Sequence, residues 1–425
     1  MDEKRAKSLN SSRGLSGLKN IGNTCYMNST LQALFSCDLL NIYLYNGEFK
    51  KSLRKNIIKQ IQQKYKSYKE LNPTLEPPEI KKNKIRKHFK NTVIYNLRKL
   101  FQYMWGINCI IEPITFKNTL KSLGSIFGGH EQQDAQEFLQ YIFNRIETET
   151  MSNCRITRIN YPEQLLDYVN FRENGGIYEQ MNYDKEIIYQ AYKKWASLYE
   201  KSRSAILDIF TGLLLSEVIC MECTDMSFTF EPFSVLQLQI TSDNTSIGFG
   251  NIIQCLRDYT KKEDINDYEC TNCKKKTHAR KRLSIWKVPV NLVIQLKRFK
   301  NDRHHISKIS HKIDFPLVDL CLNEFMPEQV RTTRKYELYS VIKHMGPYGC
   351  GHYTSVSKNL INNQWYEFDD NRVKLLHDPT DYIINSESYI LFYKSNIPII
   401  KEQQLPYSTN SINSRSSSSS NDDIR

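Results

Sequence analysis

The chain has 425 residues, 25% of them charged and 40% hydrophobic, with 59 Lys or Arg against 46 Asp or Glu and a formal net charge of +13. That length allows one large core or two to three smaller ones. Eleven cysteines, an odd number spread widely, and an opening Met-Asp-Glu-Lys-Arg without an apolar signal-peptide core argue against a secreted disulfide scaffold and for a reducing compartment, cytoplasmic or nuclear.

Residues 1–16 are polar and expected to be disordered. In the segment Gly17-Leu-Lys-Asn-Ile-Gly-Asn-Thr-Cys-Tyr-Met-Asn-Ser29, Met27 begins an apolar series with Leu31, Leu34 and Phe35, spaced as one stripe of a helix. Asn23 or Thr24 can serve as its N-cap. Cys25 then falls in the first turn, where the positive end of the helix dipole favours thiolate, the reactive form of cysteine. A lone cysteine at such a place is more often a small buried hydrophobe.

A basic insert, about residues 41–112, follows. Between residues 50 and 100 there are sixteen Lys or Arg against Glu70, Glu76 and Glu79, a surplus equal to the whole chain's net charge. The plain expectation is a solvated, lysine-rich loop, helical in part, broken at Pro73, Pro77 and Pro78 and dispensable for chemistry. The sharper one is a contact for polyanions such as nucleic acid, acidic protein or anionic lipid. Next, Phe138, Leu139, Ile142, Phe143 and Ile146 mark a buried helix face, with Asp134 and Glu137 spaced as a capping box at its start.

The most apolar stretch, Ala205 to Ile219, is interrupted by Asp208 and Glu217 and is too short to span a bilayer. Cys220-Met-Glu-Cys223 and Cys270-Thr-Asn-Cys273 supply four thiolates in two pairs, the strongest metal signal in the chain and suited to a closed structural zinc site. The long interval between the pairs means that such a site would clip two distant hairpins together. Strand patterns then cluster at Val288 to Phe299, Tyr336 to Lys343, Tyr353 to Ser357, Gln364 to Phe368 and Tyr389 to Tyr393. Helices early and strands late imply an α+β fold. Gly351-His-Tyr-Thr-Ser355 brings a histidine and Trp365-Tyr-Glu-Phe-Asp-Asp370 brings carboxylates, so nucleophile, base and orienting acid occur in the order Cys, His, Asp. The tail from about residue 399 to 425, with its run Ser416–Ser420, is expected to be disordered.

At the cysteine segment, at His130-Glu-Gln-Gln-Asp-Ala-Gln-Glu-Phe-Leu139, at the two cysteine pairs, at Ile294-Gln-Leu-Lys-Arg-Phe299 and from Tyr336 to Asp370, the chain resembles the ubiquitin-specific protease family of deubiquitinases. The likeness runs from Gly17 to Tyr393 and is weak at residues 41–112 and 152–194. It implies a papain-like cysteine protease spanning residues 17–398, with a helical thumb, a β-sheet palm and zinc-bearing β fingers at about 213–285. It also implies a thiol-dependent hydrolase of the bond after ubiquitin's terminal glycine. In that reading Cys25 attacks, His352 moves the proton, Asp369 orients the imidazole and Asn20 stabilises the oxyanion, with Asp370 assisting. Asp134 and Glu137, supported by Gln133, would pair with the arginines of ubiquitin's tail. Gly351 and Tyr353 would wall the slot for its two glycines. Ubiquitin and ubiquitinated proteins are the expected partners of a monomeric catalytic domain. A protease for another ubiquitin-like modifier, and an inactive ubiquitin-binding module, are the alternatives.

Overall fold

The computed structural model describes residues 13–71, 81–152, 154–176, 182–240, 249–302, 305–347, 349–397 and 407–410. Two compact units emerge: residues 1–151 with 204–399, and residues 152–203 with 400–425. The second is small. In it the helices Leu166–Glu173 and Tyr183–Ser202 enclose Leu165, Tyr168, Val169 and Tyr189, and buried Glu186 accepts from the Tyr168 hydroxyl at 2.8 Å and pairs with Arg172 at 2.9 Å. Its strand Arg155–Ile159 pairs with Tyr407–Asn410. Part of the tail expected to be disordered is therefore a strand, because the backbone donors and acceptors of residues 407–410 find a partner strand, whatever the tail's polar composition. The serine run lies outside the described residues.

The larger unit begins with helices. Cys25–Phe35 is buried at every position, so the single apolar stripe read from the sequence is replaced by burial all round. Two of its polar members use their amide nitrogens on the preceding segment: Gln32 Nε2 donates to Ser16 O at 2.8 Å, and Asn28 Nδ2 donates to Leu18 O at 3.1 Å. The contact with Ser16 also orders the chain before residue 17, where disorder was expected; residues 1–12 lie outside the described set. The helix packs on one side against Ala135–Thr150 and on the other against the strand His352–Lys358. Asp134 caps Ala135–Thr150, accepting from Gln136 N at 2.7 Å and Glu137 N at 3.2 Å. Near the far end of that helix, buried Glu149 accepts from Val93 N at 3.0 Å and Ile94 N at 2.9 Å, and so caps the helix Val93–Met104 from a distant point in sequence.

Seven strands form the central sheet, in the order Arg372–Leu376, Trp365–Asp369, His352–Lys358, Tyr336–Met345, Ser388–Ser395, Asn291–Lys297, Leu236–Gln239, and only the last pair is parallel. Alternation along these strands fills both faces. Val293, Tyr339, Ile342, Ile390 and Phe392 join the core shared with the helices, while Leu292, Ile294, Leu338, Val341, Leu391 and Tyr393 form a second core behind the sheet. A separate four-stranded sheet, Met226–Phe233, Gly212–Cys220, Lys275–Lys287 and Glu263–Cys270, carries the cysteine pairs at its tip. This is the α+β arrangement of helical thumb, sheet palm and β fingers. Among the described residues no helix is long and apolar enough to cross a membrane.

The basic insert is not a bolt-on loop. Phe49, Leu53, Ile57 and Ile61 of the helix Phe49–Leu71 are buried in the main core, as are Val93, Leu97 and Phe101 further on. Asn56 Nδ2 caps the end of Ala135–Thr150 through Glu149 O at 3.1 Å and Met151 O at 2.8 Å. The lysine density of the stretch hid an i, i+4 apolar stripe. Its prolines lie outside the described residues. In urea denaturation Ile57→Ala is expected to lose about 2–5 kcal/mol by opening a cavity, whereas Lys59→Ala stays within about 0.5 kcal/mol. Equal, small effects would return the segment to a solvated loop.

Candidate active site

The loop Asn20–Thr24 leads into the cysteine helix through two left-handed residues, Gly22 (φ +103) and Asn23 (φ 51). Thr24 occupies the N-cap position without capping. Its hydroxyl instead accepts from Ile21 N at 3.0 Å and donates to Asn20 Oδ1 at 3.3 Å, and Asn20 Oδ1 also accepts from Gly22 N and Thr24 N, both at 3.1 Å. The loop folds around this one amide oxygen. From outside it is held by Asn23 Nδ2 donating to His130 O at 3.0 Å, and by Lys117 Nζ donating to Ile21 O at 3.2 Å and Gly22 O at 3.3 Å. Lys117 is buried, and that burial, followed by Lys121, lowers its pKa. Cys25, the first helical residue, is 4% exposed.

The sheet supplies the other half. His352 opens its strand, and Asp369 ends the adjacent one. His352 Nε2 lies 2.6 Å from Asp369 Oδ1, which leaves Nδ1 for the cysteine. The imidazole is pushed up to about 9; the facing Cys25 sulfur is the largest cause, partial burial opposes it, and Asp369 adds to it. Strand alternation explains why Asp369 and not its neighbour meets the histidine. Asp370 turns away in a left-handed conformation (φ 51), where its Oδ2 accepts from Asn20 Nδ2 at 2.9 Å and its Oδ1 from Asn28 Nδ2 at 2.8 Å. His352, Asp369 and Asp370 cluster closely enough to suggest a metal site. However, Asp369 is turned to the imidazole and both Asp370 oxygens are already accepting, so hydrogen bonding accounts for the cluster.

Asp134 is more heavily engaged than a capping residue. While its Oδ1 caps the helix, its Oδ2 accepts from the Tyr353 hydroxyl at 3.0 Å and the Tyr389 hydroxyl at 2.8 Å. The roughly four acceptor positions of a carboxylate are thereby filled. Glu137, one turn along, is exposed, and its pKa is raised by desolvation and then by Asp134. Gln133 is half-buried and makes no side-chain hydrogen bond among the described residues. Its neighbour Gln132 reaches across to Gly351 O. Gly351 is required by packing: a Cβ there would lie 2.0 Å from His344 Nε2. Tyr353 is buried beside the same imidazole, ring centroids 4.5 Å apart.

Reading the sequence missed Lys117, Gln132, Asn28 and Tyr389. Asn28 and Gln132 sat inside segments already singled out, but their partners are distant in the chain. Lys117 carried no signal in a chain crowded with lysines.

At the tip of the fingers, Cys220, Cys223, Cys270 and Cys273 bring their sulfurs within 4.8 Å of one another, with Cys220–Cys273 at 3.9 Å and Cys223–Cys270 at 3.6 Å. None is in a disulfide. Tetrahedral coordination at a metal–sulfur distance of about 2.3 Å puts sulfurs about 3.8 Å apart, so the set fits a four-coordinate metal.

Because the His352 pKa is raised in the fold, the charged imidazole contributes stability below the usual histidine range, and that contribution is lost as pH rises through about 9. By NMR, Cys25→Ala should return the His352 titration toward ordinary histidine values. An unchanged titration would mean that the thiol does not face the ring.

The ubiquitin carboxyl-terminal hydrolase family model matches residues 16–393. A probable ubiquitin carboxyl-terminal hydrolase of Acanthamoeba polyphaga mimivirus is 31% identical over 431 residues, covering 89% of this chain and 90% of the relative. Ubiquitin carboxyl-terminal hydrolase 2 of Bos taurus is 30% identical over 395 residues, covering 91% of this chain, which spans 56% of that relative's length. Among solved structures, the SAGA DUB module Ubp8/Sgf11/Sus1/Sgf73 bound to ubiquitin aldehyde matches with a TM-score of 0.62 at 21% identity, over 92% of this chain and 71% of the other. The same module bound to monoubiquitin gives 0.63 at 22%, with the same coverage. The structural likeness speaks for the fold and the sequence matches for descent, and the chain belongs to the ubiquitin carboxyl-terminal hydrolase family of cysteine-dependent deubiquitinases.

Proposed function

We propose that the protein hydrolyses the isopeptide or peptide bond that follows the C-terminal glycine of ubiquitin. The observation that carries this reading is the position of His352, with Nε2 on Asp369 and its other face toward a cysteine at a helix N-terminus. The Cys25 thiolate attacks the glycine carbonyl, and the charge that develops on the oxygen meets two donors. One is the Cys25 N–H, an orphan of the first helical turn; the other is the second Nδ2 hydrogen of Asn20, whose first is committed to Asp370. His352 then delivers its proton to the departing amine, and the acyl-enzyme forms. Water attacks the thioester, gives its proton back to His352, and expels the Cys25 thiolate. Asp369 fixes the imidazole tautomer, and Asp370 with Asn28 holds the Asn20 amide in place.

For the ubiquitin tail, the filled oxygens of Asp134 favour a division of labour. Asp134 contributes structure and charge, while exposed Glu137 meets the guanidinium groups that precede the terminal glycines. Gly351 and Tyr353 wall the slot for the glycines, with Gln132 held on Gly351 O at its edge. The four finger cysteines hold zinc, a closed site with no position open to substrate, so the metal supports folding. A cytoplasmic or nuclear location accords with eleven cysteines, an odd number spread widely along the chain.

A ubiquitin probe carrying a C-terminal electrophile should label the wild type, and neither Cys25→Ala nor His352→Ala should react. Labelling of Cys25→Ala would remove that residue from the nucleophile role. Faster reaction of the wild type with a probe built on another ubiquitin-like modifier would reassign the substrate. Glu137→Arg should raise KM with little change in Tm, whereas Asp134→Asn should lower Tm by weakening the cap and the tyrosine contacts. The reverse pattern would exchange their roles. Metal analysis should find about one zinc per chain, lost together with thermal stability in Cys270→Ser.

A further inference from the structure

The helix Phe49–Leu71 and the following helix Lys82–Lys90 carry a charge that neither the core nor the active site uses. Phe49, at the start of the first, stacks on Phe89, near the end of the second, with ring centroids 6.4 Å apart, so the second returns toward the origin of the first. On the two helices Lys50, Lys51, Arg54, Lys55, Lys59, Lys64, Lys66, Lys69, Lys81, Lys82, Lys84, Arg86, Lys87 and Lys90 are all exposed, against Glu70 among the described residues, while Glu76 and Glu79 fall in the connecting segment outside them. At 100° per residue, Lys51, Lys55, Lys59, Lys66 and Lys69 fall within an arc of about 80°, roughly opposite the buried Leu53, Ile57 and Ile61. Eighteen residues separate the first from the last, which is about 27 Å along the helix. Among the described residues none of the five meets a carboxylate.

A purely structural purpose does not account for this surface. The last buried residue of the long helix is Ile61, and residues 62–70 continue for more than two turns with no buried side chain. The short helix likewise has none. Like charges repeated along one face repel one another, so the array is costly unless an anion covers it.

We propose that this hairpin is a docking surface for the phosphate backbone of duplex nucleic acid. The chemistry of the face selects that partner. Twelve of the fourteen basic groups are lysines, suited as point charges to backbone contact and less to bidentate recognition of particular groups. A straight row of about 27 Å matches a rod bearing one charge per about 1.7 Å of its axis. The lysine arc offers no aromatic or fully exposed large aliphatic side chain to enter a lipid headgroup layer; Ile58, at its edge, is half-buried. Docking here is sequence-independent and steeply salt-dependent.

The experiment is fluorescence anisotropy of the full chain with a labelled 20-base-pair DNA duplex across a salt series from 50 to 200 mM. The comparison is with the variant Lys51→Gln, Lys55→Gln, Lys59→Gln, Lys66→Gln, Lys69→Gln. If the five act alone, wild-type affinity falls roughly 500-fold over that range, and the slope of log affinity against log salt is shallower by about 4.5 in the variant. Lys→Arg at the same five positions should keep the slope. All five side chains are exposed, so melting temperature and turnover of a minimal ubiquitin substrate should match the wild type in both variants. An unchanged slope in the Gln variant, or no salt-dependent binding by the wild type, overturns the proposal. Tighter binding to vesicles containing 30% phosphatidylserine than to the duplex at equal salt also overturns it, in favour of a membrane surface.

Discussion

Everything at the site depends on one packing constraint: the helix Cys25–Phe35 is enclosed on all sides. The Ala135–Thr150 helix covers one flank and the strand His352–Lys358 the other, so the N-terminus of the cysteine helix can emerge only along the line where helical lobe and sheet meet. The first residue of that helix and the first residue of that strand are the nucleophile and histidine of the proposed reaction. A helix held loosely on one face could rotate and carry the sulfur away from the imidazole. Anchored in the core through its own Leu31, Leu34 and Phe35 and pinned by Gln32 to Ser16, it cannot.

Two carboxylates extend that constraint into the loops. Asp370 gathers Asn20 from the cysteine loop and Asn28 from the helix, binding the end of a palm strand to both. Asp134 gathers the N-terminus of its own helix and two tyrosines from the palm, Tyr353 and Tyr389, and Gln295 in turn donates to the Tyr389 hydroxyl at 2.8 Å. Each acid is a junction between the helical lobe and the sheet. Buried or half-buried polar groups of this kind stabilise only when all their partners are present, which makes the alignment of the cleft cooperative. Arg298 plays a comparable part behind the cleft: wholly buried, it donates to the carbonyls of Ser388, Ile309 and His311, and burial lowers it to about 10.

Much of this was legible beforehand. The strands read at Tyr336, Tyr353, Gln364 and Tyr389 lie within a residue or two of those observed, because alternating apolar residues leave little choice of face. The chemistry-bearing residue types were legible for a different reason. The cysteine segment, the histidine strand, the paired acids and the two cysteine pairs are short local patterns, and each carries its meaning within a dozen residues.

What the sequence determined by itself, then, was the set of side chains and the order of helices and strands, both consequences of local composition and periodicity. Tertiary structure alone decided how those side chains are shared out. Asp369 and Asp370 are adjacent and chemically identical, and only a strand ending followed by a left-handed turn sends one to His352 and the other to Asn20. Lysine content suggested a solvated loop after residue 50, and only the packing of Leu53, Ile57 and Ile61 into the core made it an integral helix with one charged face. Lys117 illustrates the same limit, for its role exists only because the fold brings its ammonium group to two carbonyls nearly a hundred residues away in sequence. Hydrogen bonds between distant segments are written in three dimensions, where the competition among donors and acceptors is settled by which of them the core has brought within reach.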